Sequence, residues 1–81
     1  MMPEQGRVVR CIAGKEQGGF YVVTGSEAGF VFLADGKHRT LDRPKRKNIR
    51  HIRLTDTVWD MSGMTDRMLH RQLREYTQGG N

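Results

Sequence analysis

Short runs of β-branched and other apolar residues, separated by glycine-containing turns, constrain this fold more than any other feature. Five such runs occupy residues 6–55 at a spacing of about ten residues, and none has the length of a typical helix. The pattern predicts a mostly β fold, a small five-stranded barrel or sandwich. Closing the sheet into a barrel would remove its exposed edges. The predicted strands are residues 7–13, 20–24, 30–34, 37–41 and 49–54.

The turns between these runs have recognisable chemistry. Residues 14–19 contain three glycines and predict a loop whose backbone needs positive φ or a close approach. Asp35-Gly36 is the strongest hairpin signal in the chain and predicts a two-residue type I′ turn that leads into the strand at 37–41. Residues 42–48 carry charges and Pro44, and we expect them to form a loop outside the core.

The tail has a different pattern, which divides the chain into a barrel at residues 1–55 and a helical extension at 56–81. Ser62 or Thr65 can cap a helix that has Asp66 in its first turn, and Gly79-Gly80 ends it. The helix either covers the open end of the barrel or docks into a partner protein. Val58 and Trp59 precede it and would pin it to the barrel. Its apolar residues recur at helical spacing: Met61, Met64, Met68, Leu69, Leu73 and Tyr76.

The positive charge of the chain lies in one segment. Residues 37–53 hold eight Lys or Arg against the single acid Asp42, whereas the whole chain has 14 basic and nine acidic residues. The remainder is therefore slightly acidic. A charge run is often only a solvated face, but a one-sided basic stripe favours a polyanionic partner, most often nucleic acid.

Several classes of protein are not expected from this composition. Cys11 is the single cysteine, so no internal disulfide forms, and the three histidines lack zinc-ligand spacing. No nucleophile with a base and no pair of acids suggests catalysis, so we expect neither an enzyme nor a cofactor. The chain shows no secretory signal and no apolar run of the roughly 20 residues that a membrane span needs. We expect a soluble cytoplasmic protein, and Cys11 to be a small buried hydrophobe.

The first half of the chain resembles a known motif. The stretches that carry the resemblance are Gly6-Arg7-Val8-Val9, then Ala13-Gly14-Lys15-Glu16-Gln17-Gly18, then Phe20-Tyr21-Val22-Val23. They resemble the KOW motif of ribosomal proteins and transcription-elongation factors, with the spacing of Gly14-Lys15 and Gly18 the most recognisable part. With residues 32–41 and 43–51, the chain is similar to small ribosomal proteins of the fourteen-e type over roughly residues 5–55. Gln17 departs from that pattern, because the family more often has a basic residue there.

This resemblance implies an SH3-like barrel that binds RNA. Lys15 and its neighbouring glycines would either form only a tight turn or also present N–H groups to a phosphate. We expect Phe20, Phe30 and Phe32 to lie in the core and Tyr21 to be the aromatic residue most exposed to solvent. With few exposed aromatic residues for base stacking, contacts to the phosphate backbone of structured RNA are favoured over sequence readout.

The sequence therefore predicts an RNA-binding protein that contacts ribosomal RNA or the translation machinery through backbone electrostatics. The alternative is a protein-interaction module of the transcription or translation machinery, with ribosomal or transcription proteins as partners. A third possibility is non-specific binding to DNA. We expect no membrane partner, no small-molecule substrate and no metal. The predicted RNA contacts are Lys15, Lys37, Arg39, Arg43, Lys45, Arg46, Lys47, Arg50 and Arg53.

Overall fold

A five-stranded antiparallel sheet and one C-terminal helix make up the fold, which confirms the mostly β prediction. The computed structural model describes residues 2–79 of the chain. The strand order is β4-β3-β2-β1-β5, and within the described residues the two end strands, β4 and β5, are not paired with each other. The elements are β1 Arg7–Cys11, β2 Phe20–Glu27, β3 Phe30–Ala34, β4 Lys45–Asn48, a 3₁₀ turn Ile49–His51, β5 Ile52–Val58 and α1 Asp66–Gly79.

Successive side chains along a strand point to opposite faces of the sheet. Because consecutive residues in these strands are apolar, both faces of the sheet are apolar. We call one cluster the inner core; its buried residues are Val9, Cys11, Tyr21, Val23, Val31, Leu33 and Ile52. We call the other the helix-side core; here α1 packs on the sheet, and the buried residues are Val8, Val22, Ala34, Leu69 and Leu73.

The first three predicted strands are present. The bounds of β3 are those predicted, β1 ends two residues early, and β2 continues three residues beyond Thr24. The extension carries β2 through Gly25, where the expected turn would have started. At this point the pairing of β2 with β3 shifts register, between Val23 and Gly25. Such an irregularity bends a strand and increases its twist.

The predicted return strand at residues 37–41 is wrong. The Asp35 side chain replaces the partner strand: its Oδ1 accepts hydrogen bonds from the backbone N–H groups of Lys37 (3.0 Å) and Arg39 (2.8 Å). The Arg39 carbonyl in turn accepts from the N–H groups of Asp35 and Gly36. Gly36 has a φ of +82°, and a Cβ at this position would overlap the carbonyl oxygen of Asp66. The segment is therefore a tight loop folded onto the start of α1.

The fourth strand lies where the sequence predicts a loop outside the core. β4, Lys45–Asn48, pairs with β3, and Lys47 stands opposite Val31. Lys47 is buried, so the expectation that this segment stays out of the core is wrong. A strand made of charged residues forms here because β3 offers an unpaired edge and because Lys47 finds an acidic partner, described below.

The fifth predicted strand begins later and ends later than expected. Residues 49–51 form a 3₁₀ turn, in which the Asn48 side-chain oxygen accepts a hydrogen bond from the backbone N–H of Arg50 at 2.9 Å. β5 follows and ends at Val58, four residues past the predicted end of the strand at residue 54 and beyond the expected domain boundary at residue 55.

The C-terminal helix confirms the predicted start. Thr65 Oγ1 accepts a hydrogen bond from the Met68 N–H at 3.2 Å, and Asp66 lies in the first turn. The helix packs on a face of the sheet, so the expectation that it covers an open end is wrong. Met68, predicted on the apolar side, is 40% exposed. Gly79 is the last helical residue, and Gly80 lies outside the described residues.

The residues before the helix fix its position. Trp59 belongs to the helix-side core and packs edge-on against Tyr76, with ring centres 5.7 Å apart. Its backbone N–H donates to the Gly6 carbonyl at 2.9 Å. Val58, by contrast, is 43% exposed. No helix within residues 2–79 is long and apolar enough to cross a membrane.

Candidate nucleic-acid interface

The loop between β1 and β2, residues 12–19, is the centre of the candidate site, and we call it the glycine loop. Its own hydrogen bonds close it: Gly18 N–H donates to the Cys11 carbonyl at 2.8 Å, and Gly19 N–H to the Glu16 carbonyl at 2.9 Å. The Ile12 N–H donates to the carbonyl of His51 at 2.8 Å. The glycine loop is therefore tied to the 3₁₀ turn that carries Arg50.

Glu16 ties the same loop to the basic segment on its other side. Its Oε1 lies 2.8 Å from Lys47 Nζ, and its Oε2 lies 3.6 Å from an Arg39 guanidinium nitrogen. The pKa of Glu16 is below its ordinary value, first because Lys47 donates a hydrogen bond to it and further because of the positive fields of Lys47 and Lys45. One carboxylate thus gathers cations from the 35–44 loop and from β4.

Gly14 makes the approach of Lys47 possible. Its φ is +80°, and a Cβ there would lie 2.6 Å from Lys47 Nζ. The Lys47 side chain is only 8% exposed. Its predicted role as a phosphate contact therefore needs correction, because alternation along β4 turns it inward and its ammonium group is occupied by Glu16.

Four of the predicted contacts lie on the glycine loop, the 35–44 loop and β4 without an acidic partner among the described residues. Within residues 2–79, none of the four has a carboxylate within 4.0 Å. Three are exposed on loops, and Lys45 is half-buried at the start of β4. They are Lys15, Lys37, Arg43 and Lys45. Arg39 adds a fifth cation that only the longer contact to Glu16 compensates.

Arg46 lies apart from this group, because it alternates to the other side of β4. Its guanidinium carbon is 3.6 Å from the centre of the Phe30 ring, and Nε is 3.4 Å from a Glu27 carboxylate oxygen. Stacking on an aromatic ring is a common position for an arginine. The Arg46 guanidinium is therefore engaged by Phe30 on one face and by Glu27 at Nε, unlike Lys45 beside it.

Two more predicted contacts follow the 3₁₀ turn. Arg50 is exposed on the turn, and Arg53 is exposed on β5, where it stands opposite Arg10 of β1. Arg10 was not among the predicted contacts. The sequence position of Arg10 could have indicated it as a contact. Arg10 lies between Val9 and Cys11, which are buried, and alternation along β1 turns the residue between them to the other face.

The aromatic residues are arranged differently from the prediction. Tyr21 is buried in the inner core at 8% exposure, and burial raises the pKa of its hydroxyl. Phe30 and Phe32 are half-buried and belong to neither core, while Phe20 packs at the margin of the helix-side core. The expectation of an exposed Tyr21 is therefore wrong, and so is that of a core position for Phe30 and Phe32, whereas Phe20 does pack against a core cluster. Val31 and Leu33 occupy the inward positions of β3 instead.

The remaining candidate reactive groups are a cysteine, a histidine and possible metal ligands. Cys11 is fully buried, as predicted, and burial raises the pKa of its thiol. His38 has one ring nitrogen 3.3 Å from an Asp35 oxygen and is largely exposed. Within the described part of the chain, no three His, Cys, Asp or Glu side chains are placed to hold a metal ion.

The 35–44 loop, β4 and the 3₁₀ turn are each tied to the glycine loop, and together with β5 these segments carry an excess of positive charge. We call the set the basic surface: Lys15, Lys37, Arg39, Arg43, Lys45, Arg50 and Arg53. Such an arrangement can neutralise several phosphates of one polyanion. Comparison with models of known protein families and with curated proteins found no match.

Proposed function

We propose that the protein binds RNA, and ribosomal RNA in particular, by neutralising phosphates with the basic surface. The observation that carries the proposal is the gathering of most of its cations on the glycine loop and on segments tied to it. Among the acids close to them in the chain or in space, Glu16 is already neutralised by Lys47 at 2.8 Å, whereas Asp42 is exposed beside Arg43. The other cations are left to attract a polyanion.

The pair of arginines opposite each other on β1 and β5 supports the same proposal. Arg10 and Arg53 are cross-strand partners, and like charges directly opposite each other destabilise a sheet. A bound phosphate between the two guanidinium groups would relieve the repulsion. The pair costs the free protein stability and contributes affinity in the complex.

We also propose that the sheet is an SH3-like barrel of the KOW type and that the protein acts in the cytoplasm. The strand order, the 3₁₀ turn between β4 and β5 and the glycine loop between β1 and β2 agree with the resemblance of residues 5–55 to that motif. The choice of RNA over DNA follows from the resemblance, because phosphate contacts alone do not distinguish them.

A salt-dependent titration tests the proposal. Neutralising about five phosphates predicts a slope of log K against log salt of roughly −3.5 to −4.5. Purified protein, freed of nucleic acid, is titrated with a structured ribosomal RNA fragment and with matched duplex DNA. The double variant Arg43→Ala/Arg50→Ala should reduce the magnitude of the slope by about 1.4–1.8 and weaken RNA binding.

The matched control removes two arginines elsewhere. Arg67 and Arg71 are exposed on α1, so Arg67→Ala/Arg71→Ala changes the net charge by the same amount. The control should keep nearly the native slope. Equal losses in the two double variants, or weak binding that ignores both, would contradict the proposal. Weak binding of every nucleic acid would direct attention to protein partners instead.

A further inference from the structure

A groove of about 450 Å³ runs between α1 and the glycine loop, beside the basic surface. We call it the helix groove. The glycine loop and the 35–44 loop, which carry much of the basic surface, also form one wall of this groove. Its volume is within the range of sites that hold a small organic group. Among the residues that line it are Gly18, Gly19, Phe20, Asp35, His70 and Arg74.

The walls of the groove are fixed to one another. The Leu41 N–H donates to Asp66 Oδ1 at 2.7 Å, which ties the 35–44 loop to the first turn of α1. Gly36 packs so closely on the Asp66 carbonyl that no side chain fits between them. Leu73 is buried against the sheet on the other side. The groove is therefore preformed, which lowers the cost of ordering it around a ligand.

Aromatic and polar groups line the groove together. The Phe20 ring is half-buried there, and the Tyr21 ring reaches it beneath Gly19. A Cβ at Gly19 would lie 3.0 Å from Tyr21 Cε1, so the absence of a side chain at Gly19 lets the loop pass close to that ring. Asp35 contributes an acceptor, Oδ2, whose one contact among residues 2–79 is that with His38 at 3.3 Å.

One cation, Arg74, lines the groove, and another, Arg10, lies close to the Phe20 ring that lines it. Arg74 is exposed on α1, and the Arg10 guanidinium carbon is 6.0 Å from the centre of the Phe20 ring. An aromatic ring can stack on a nucleobase, and a carboxylate oxygen can accept hydrogen bonds from the N–H groups of the base. The cations can contact the neighbouring phosphates.

We propose that the helix groove takes one unpaired nucleobase extruded from the bound RNA. The base stacks on Phe20, and the adjacent phosphates lie against Arg74 and Arg10. This inference rests on the proposed RNA binding and adds to it. Backbone contacts position the RNA, and the groove selects RNA that carries a bulged or otherwise unpaired nucleotide.

The experiment uses two RNA hairpins that differ by a single bulged 2-aminopurine. The bulged hairpin should bind the native protein about tenfold tighter than the fully paired one, with a change in 2-aminopurine fluorescence on binding. Thr77 is exposed at the groove, so Thr77→Trp fills it from the helix. This variant should bind both hairpins with the affinity that the native protein has for the paired one.

Gln78→Trp is the matched control. Gln78 is exposed on the same helix but does not line the groove, so this variant should keep the tenfold preference. Phe20→Leu should lose the preference as well, because it removes the stacking ring and keeps an apolar side chain. Circular dichroism checks that each variant is folded, and Thr77→Trp decides the question if Phe20→Leu is not.

The outcomes separate the two proposals. Equal, salt-sensitive binding of both hairpins by the native protein would overturn the groove and leave RNA binding intact. A loss in Gln78→Trp as large as in Thr77→Trp would also overturn the groove. Failure of both hairpins to bind would overturn RNA binding, and the groove with it.

Discussion

Lys47 Nζ and Glu16 Oε1 lie 2.8 Å apart and join the edge strand β4 to the glycine loop. The two side chains are 8% and 11% exposed, so the ion pair is close to fully buried. One cation of the basic segment, Lys47, therefore holds β4 and the glycine loop together. The contact holds β4, which carries Lys45, against the glycine loop, which carries Lys15.

Removing Lys47 should destabilise the fold more than removing its neighbour Lys45. Lys47→Met leaves the Glu16 carboxylate with Arg39 alone, at 3.6 Å, and an unpaired buried charge is costly. We expect a loss of about 2 kcal/mol in the free energy of unfolding, measured by chemical denaturation. Lys45→Met is the control and should cost clearly less. Equal losses would show that the ion pair contributes nothing specific.

Acid should weaken the protein through Glu16. Its pKa is lowered from the ordinary value of 4.5 by the Lys47 hydrogen bond, so the folded state binds its proton less readily than the unfolded state. The resulting stability is present above that value and is lost as the pH falls through the folded pKa. We expect the free energy of unfolding to drop less in Glu16→Gln than in the native protein between about pH 5.5 and about pH 3. Parallel pH profiles would refute this role.

Asp35 should add to the same acid sensitivity. Burial pushes its pKa upward, but hydrogen bonds from the backbone N–H groups of Arg39 and Lys37 and from His38 outweigh burial and lower the pKa. The sign is therefore that of Glu16, and the double variant Glu16→Gln/Asp35→Asn should have the flattest profile.

A side chain at Gly36 should loosen the loop that carries Lys37 and Arg39. Gly36 and Gly29 have similar φ values, +82° and +80°, but a Cβ meets the Asp66 carbonyl only at Gly36 and nothing within 4 Å at Gly29. Both alanine variants carry backbone strain, and Gly36→Ala adds a clash. We expect it to be less stable than Gly29→Ala by more than about 1 kcal/mol in Trp59-monitored unfolding. Similar stabilities would mean that the loop moves away without cost.

Arg53→Thr should separate stability from binding. It removes one of the two opposed arginines, so thermal unfolding should occur at the same or a slightly higher temperature. RNA affinity should fall several-fold at low salt, and the salt slope should shrink by about 0.7–0.9. A lower melting temperature with unchanged affinity would place Arg53 among the structural residues.

The sequence predicted the apolar elements better than the charged ones. β3 and α1 have their expected positions, because hydrophobic runs and a Thr65 cap with Asp66 behind it are strong local signals. β4 escaped prediction because its register comes from pairing with β3 and from Glu16, which lies 31 residues away in the chain. The Asp35 turn resembled a hairpin, but its side chain bonded to the two N–H groups that a partner strand would have used.

The candidate site was predictable in composition and not in arrangement. Most predicted cations lie on the glycine loop or on segments tied to it, but the inward turn of Lys47 and the stacking of Arg46 on Phe30 follow from strand alternation in an element that was not foreseen. Tyr21 and Phe30 exchanged their expected environments for a similar reason, since a one-residue change of register moves a side chain to the opposite face.

The two apolar clusters are built from one set of strands, and this has a consequence for how the protein comes apart. β1 gives Val8 to one cluster and Val9 to the other, and β2 gives Val22 and Val23 in the same way. Because the two clusters share these strands, we expect loosening of one to loosen the other and both to unfold together. The helix is then part of the same folding unit. A chain cut before it would expose the apolar side chains of Val8, Val22 and Ala34 and would be prone to aggregate.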